Sequence, residues 1–212
     1  MIENTNGDND QKPKGQVYSF SVDQCRRKDS ADASFNSKFE RAALDLKPGE
    51  IGFLDEPHGM LVSTVGSGVA LTIYDEKLHV GVMAYVVLPR SLLQVFPNLD
   101  KAPPEDVARA LSPIEEAIAE MKKHGAAKNR IRIRLFGGAE IDGQDDAGMK
   151  TSVFVKEYLS RKELGLMGED LGGKSLRRIH FLPDNGAVTR FFLKRQSDFD
   201  FVTRQESAFL NT

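Results

Sequence analysis

The sequence predicts a layered α+β fold. Three observations carry this reading. Short apolar, β-branched segments separated by turn residues fill positions 52–88. Stretches with helical periodicity follow only later, around 104–124 and 149–161. A hairpin signal, Pro183-Asp184-Asn185-Gly186, joins two further strand-like segments. The order strands, helix, strand, helix, strands suits segregated layers better than a regular parallel α/β sheet.

The 212 residues fit one domain with room for a sizeable core. Hydrophobic residues at 40% and charged residues at 28% make an ordinary soluble balance. A formal charge of −2 gives no broad field for nucleic acid or an anionic membrane, and no apolar run approaches the roughly 20 residues of a membrane span. Residues 1–15 are polar, without the apolar stretch of a secretory signal, so a cytoplasmic location is expected. The single cysteine, Cys25, cannot form an internal disulfide. The histidines His58, His79, His124 and His180 are scattered, and neither a metal site nor a cofactor is expected.

Along the chain, residues 1–15 read as a disordered tail rich in Asn, Asp, Gly and Lys. Residues 16–46 read as an N-terminal extension with one helix. Phe35, Phe39, Ala42 and Leu46 recur at steps of four, three and four, Ser34 stands where a cap would, and Lys47-Pro48-Gly49 ends the run. The helix is expected to dock by this stripe; the stripe alone leaves open whether it covers the functional cleft or packs elsewhere.

The core domain is assigned to residues 47–195. Gly52–Leu54, Met60–Val65, Val69–Tyr74 and His79–Leu88 are its first strands, and Gly81-Val82-Met83-Ala84 lacks alternation, as in a strand buried on both faces. After a short helical turn from Pro104 to Leu111, Ser112-Pro113-Ile114-Glu115 resembles a capped helix start, with Ile114, Ala117, Ile118 and Met121 on one face and Gly125 as the stop. Ile131, Ile133 and Leu135 alternate with Arg132 and Arg134 in a half-buried strand, and a second helix spans about Met149 to Arg161. Residues 196–212 read as a C-terminal tail.

Three glycine-bearing turns stand out: Gly66-Ser67-Gly68, Phe136-Gly137-Gly138 and Gly172-Gly173. Glycine there permits positive φ or close backbone approach. None has the spacing of a phosphate loop.

In order and spacing, these segments resemble the CheD family of chemoreceptor glutamine deamidases. The resemblance runs from Lys47-Pro48-Gly49-Glu50 through Ser63-Thr64-Val65-Gly66-Ser67-Gly68-Val69-Ala70, Gly81-Val82-Met83-Ala84-Tyr85 and Leu88-Pro89. It continues through Leu135–Ala139 and Glu169–Gly173 to Arg177-Arg178-Ile179-His180-Phe181. It implies an α/β sandwich of the kind shared with deamidase toxins, hydrolysis of receptor glutamine amides or methyl esters, and binding to a chemoreceptor cytoplasmic domain or a CheC-type phosphatase.

The family's chemistry implies a thiolate nucleophile, an activating histidine and a nearby threonine hydroxyl. The family's Gly-Ser-Cys falls on Gly66-Ser67-Gly68, and its histidine falls on Tyr85. A phenol with an ordinary pKa near 10 is a poor base at neutral pH. Ser63 and Thr64 lie near the hydroxyl position. Thr151 stands where the family has an asparagine, and Leu176 where a small residue is usual. By alternation, Ser67 should point away from the site. Cleft or partner-binding candidates are Gly66, Ser67, Phe136, Gly137, Gly138, Thr151, Gly172, Gly173 and Arg177.

The expected function is therefore that of a non-catalytic CheD-like protein of chemotaxis signalling. The alternatives are an active deamidase or methylesterase using the Cys25 thiol or an unassigned hydroxyl, and a scaffold recruited to an unrelated partner.

Overall fold

The structure is a computed structural model, and it describes residues 17–18, 33–36, 41–54, 58–141 and 146–210. Cys25 and residues 1–15 lie outside these. One sheet holds six strands in the spatial order β1 (Val17–Tyr18), β4 (Ile51–Phe53), β7 (Val80–Val86), β6 (Val69–Asp75), β8 (Ile131–Gly137) and β9 (Leu166–Leu171). The other holds five: β11 (Ala187–Leu193), β10 (Leu176–Leu182), β5 (Gly59–Val65), β3 (Arg41–Leu46) and β2 (Ala33–Asn36). The helices are α1 (Arg90–Val95), α2 (Pro104–Lys123), α3 (Ala147–Arg161) and α4 (Gln196–Leu210). The fold is the α+β sandwich that the sequence predicts.

Strand alternation sets the layers. Val69, Leu71 and Ile73 of β6 and Val82, Ala84 and Val86 of β7 face the helices, against Ile114, Ala117 and Met121 of α2 and Phe154 and Val155 of α3. Ala70, Met83 and Tyr85 point the other way and meet Leu44, Leu61, Val65, Ile179 and Phe181 of the second sheet. The six-stranded sheet is thus the middle layer. This is why β7 shows no polar–apolar alternation.

The predicted hairpin forms, with Leu182 paired to Ala187 across the Pro183–Gly186 turn. At the Asp75-Glu76-Lys77 turn the fully buried Asp75 accepts from the amides of Lys77 and Leu78 and pairs with Arg130 at 3.0 Å. Burial alone would raise the Asp75 carboxyl, but these partners hold it below its ordinary range.

Three expectations are corrected. The stripe through Phe35, Phe39, Ala42 and Leu46 does not form the expected helix: Phe39 lies outside the described residues, and the other three stand in strands. β2 and β3 pair antiparallel, and β3 pairs in parallel with β5 from Ala42–Gly59 to Leu46–Ser63. Ala42, Ala43, Leu44 and Leu46 are all buried, so β3 is covered on both faces, and the ladder to β5 overrides a weak local helical period. β3 lies beside β5 in the sheet, with Leu46 opposite Ser63.

Second, Pro104–Lys123 is one helix of 20 residues with Pro113 inside it, and Ser112 bonds to the Glu116 carboxylate instead of capping a start. The start is set by Pro104 in the first turn, where a missing N–H costs nothing. Third, the expected C-terminal tail is the helix α4. It buries Val202, Glu206 and Leu210, spaced four apart on one face.

Candidate functional site

The three glycine turns lie side by side. Gly138 donates to the carbonyl of Gly68 at 2.8 Å and Ala139 to that of Gly66 at 2.7 Å. On the other side Gly172 donates to Gly137 at 2.9 Å and Glu140 to Gly173 at 2.8 Å. The middle turn needs its glycines. Gly137 has φ +122°, and a Cβ there would stand 2.3 Å from the carbonyl oxygen of Gly68. These contacts turn the carbonyls of the first turn toward Gly138 and Ala139 and leave its amides facing α4.

Those amides converge on one carboxylate. The backbone N–H groups of Gly66 and Gly68 each donate to Glu206 Oε1 at 3.0 Å, and that of Ser67 donates to Oε2 at 3.0 Å. The Ser67 hydroxyl donates to Oε2 at 2.5 Å and the Tyr85 hydroxyl to Oε1 at 2.6 Å. Glu206 is completely buried, and every polar partner it has here is a donor. Successive amides pointed at one anion form a nest, which satisfies a charge that burial would otherwise penalise. Ser67 therefore points into the site. The segment is a turn, not extended strand, and strand alternation does not apply to it.

Tyr85 and Gly68 are matched in shape. A Cβ on Gly68 would lie 2.5 Å from Tyr85 Cε2 and 2.9 Å from the carbonyl oxygen of Val86. The ring thus occupies the volume that a side chain at 68 would need, and that placement carries its hydroxyl to Glu206. Burial lifts the phenol well above its ordinary value, and the Glu206 charge beside it adds to the rise. The raised value favours the neutral phenol, which donates to Glu206.

Other sequence candidates have structural roles. The Thr151 hydroxyl is buried and donates to the Ala147 carbonyl within α3 at 2.7 Å. Ser63 and Thr64 alternate across β5: Ser63 contacts the Leu46 carbonyl, and Thr64 Oγ1 accepts from Arg178 at 2.9 Å. Arg177 is buried, pairs with Asp170 at 2.9 Å and donates to the Gly172 carbonyl at 2.8 Å, bracing the third turn. Burial would raise the Asp170 carboxyl, but Arg177 and Arg190 hold it below its ordinary range. Phe136 packs at the edge of the layer between the sheets. A groove of about 490 Å³ opens beside Gly138 and Gly172, lined also by Met149, Ser152 and Glu169.

Sequence reading missed Glu206. The available signal was a glutamate in the same line as Val202 and Leu210 in a segment of helical period. Among the described residues no cluster of three or more His, Cys, Asp or Glu is placed to hold a metal ion, and no helix is long and apolar enough to cross a membrane.

A family described as "CheD chemotactic sensory transduction" matches residues 97–190. A protein of Cupriavidus pinatubonensis described as "Probable chemoreceptor glutamine deamidase CheD" is 30% identical over 177 residues, covering 82% of this chain and 80% of its own length. The chain belongs to the CheD family. Relatives with the same description from Xanthomonas campestris pv. campestris, 31% identical over 72% of this chain and 74% of their protein, and from Saccharophagus degradans, 28% identical over 84% and 82%, agree. In this CheD-family chain the segment matched by the family description includes the second and third glycine turns. The first turn, Tyr85 and Glu206 fall outside it.

Proposed function

We propose that this protein is a non-catalytic member of the CheD family that acts in chemotaxis signalling by binding, with a chemoreceptor cytoplasmic domain or a CheC-type phosphatase as partner. One observation carries the reading. At the turn where the family resemblance implies a thiol and an imidazole, the chain has Gly68 and Tyr85: the Tyr85 ring fills the space that a side chain at 68 would need, and the amides of the turn and the Tyr85 hydroxyl are bonded to Glu206.

Amide hydrolysis through a covalent intermediate needs a nucleophile beside a base that can take its proton. Gly68 supplies no side chain, and Tyr85 holds its proton. Ser67 lies beside a carboxylate, which in outline suggests a substitute pair, the second reading. Its hydroxyl is buried, however, and the amides that would stabilise a developing oxyanion are already bonded to Glu206. Loss of the base alone removes about 10²–10⁴ in rate.

The test is incubation of the full chain with a chemoreceptor cytoplasmic fragment, followed by mass spectrometry. The expected result is retention of fragment on immobilised protein without a +1 Da shift at any glutamine. A shift above the no-protein control that survives Cys25→Ser and disappears with Ser67→Ala would establish the second reading instead.

A further inference from the structure

We propose that the Gly66–Gly68 turn and Tyr85 form a binding site for the side-chain carboxylate of a glutamate carried on a helix. In this chain Glu206 of α4 occupies it, and a partner helix presenting glutamate, not glutamine, displaces α4 and takes its place. The inference rests on the non-catalytic reading above and adds the chemical state that is recognised.

The geometry around Glu206 defines the ligand. Oε1 receives three donors, from Gly66, Gly68 and Tyr85, and Oε2 receives two, both from Ser67. Two oxygens with acceptor lone pairs match this shell. A glutamine would place its NH2 group against at least one of these N–H donors at about 3.0 Å, the distance of the Ser67 bond. That contact pairs donor with donor and leaves a buried amide unsatisfied. The Ser67 hydroxyl can rotate to accept, but the backbone N–H cannot. The Tyr85 hydroxyl, which also reaches the Thr64 carbonyl at 3.2 Å, can turn likewise, so the discrimination rests on the backbone N–H groups of Gly66, Ser67 and Gly68. The site therefore favours the hydrolysed form of a glutamine side chain, in which water has replaced the amide nitrogen as ammonia leaves.

The occupant belongs to an element suited to exchange. On α4, Val202, Glu206 and Leu210 are buried, Phe199 and Phe209 pack partly buried against the core, and Phe201 is half exposed. The apolar anchors flank the carboxylate one helical turn away on each side. A partner helix with the same apolar–Glu–apolar spacing would satisfy the same surface. Elements held by few buried side chains open at lower free energy than the core.

The experiment uses the full chain and its Glu206→Ala variant. The probe is a chemoreceptor cytoplasmic fragment prepared in two forms, with its modifiable glutamines intact and with them replaced by glutamate. Calorimetry should show Glu206→Ala binding the glutamate form at least tenfold more tightly than the glutamine form. The wild-type chain should bind the glutamate form at least tenfold more weakly than the variant, because α4 competes. Equal affinity for both forms, or preference for glutamine, overturns the glutamate site while leaving a chemoreceptor as partner.

A peptide of residues 196–210, with Glu or Gln at 206, separates the remaining case. If it binds the variant with a tenfold preference for Glu while neither receptor form binds, the carboxylate site stands and the chemoreceptor falls as partner. If no ligand binds, the proposal falls. Should Glu206→Ala fail to fold, hydrogen exchange on the wild-type chain decides. Saturating glutamate-form fragment should speed exchange in residues 200–210 several-fold and glutamine-form fragment should not; no change with either overturns displacement.

Discussion

A Cβ on Gly68 would stand 2.5 Å from Cε2 of Tyr85, so the two residues cannot be changed independently. The smallest residue at 68 admits the ring at 85, and the ring brings a hydroxyl to within 2.6 Å of Glu206. The shape of the pocket and its donor shell are one arrangement.

Gly68→Cys alone is expected to destabilise the protein by roughly 1–3 kcal/mol through overpacking against that ring. Combining it with Tyr85→His removes the ring contact and should recover part of the loss, though the Val86 carbonyl at 2.9 Å remains. Urea denaturation measures both. The thiol of the double variant should also alkylate faster than that of the single one, and equal stability and reactivity in the two would contradict the shape match.

Glu206→Ala leaves several donors without their acceptor, and water entering the pocket offsets part of that. We expect a loss of about 2–4 kcal/mol in unfolding free energy, with Glu206→Gln losing less. Neither variant should deamidate a receptor fragment, because emptying the pocket supplies no nucleophile. Glutamine hydrolysis by Glu206→Ala in the mass-spectrometric assay would mean that the site is blocked rather than inactive.

Tyr85 sets an alkaline limit. Its folded-state pKa lies above that of the unfolded chain, so its contribution is whole below about pH 10 and is lost as pH rises through the folded value. Tyr85→Phe should cost about 1–2 kcal/mol at neutral pH and flatten the fall in stability above pH 10. Thermal melts from pH 8 to 11 test this; an unchanged alkaline slope would count against the raised phenol.

At the acid end, Asp75 and Asp170 have lowered folded-state pKa values, and their contributions are present above about pH 4 and are lost as pH falls through the folded values. Asp75→Asn should destabilise by roughly 1–3 kcal/mol at pH 7, since Arg130 loses its buried partner. It should also weaken the dependence of stability on pH below 4. Denaturation midpoints at pH 3, 4 and 7 provide the comparison.

The sequence by itself determined the layered fold, because its signals are local. β-Branched runs between turn residues mark β5, β6 and β7, and Asp184-Asn185-Gly186 marks a turn whichever sheet it joins. The helical stripe read at Phe35–Leu46 failed for a nonlocal reason: β3 is a strand because β5 offers it a ladder, and a period of three and four residues carries no information about a neighbour.

Only the tertiary structure decided what fills the site. Glu206 is separated from Gly66 by 140 residues and sits in a segment with no strand or motif signature. A glutamate on an amphipathic helix is ordinarily solvated. It is buried here because the Gly137–Gly138 turn holds the carbonyls of residues 66 and 68 away from it, leaving a cluster of fixed N–H donors that a carboxylate satisfies. Complementarity of that kind belongs to the folded backbone, and no single stretch of residues encodes it.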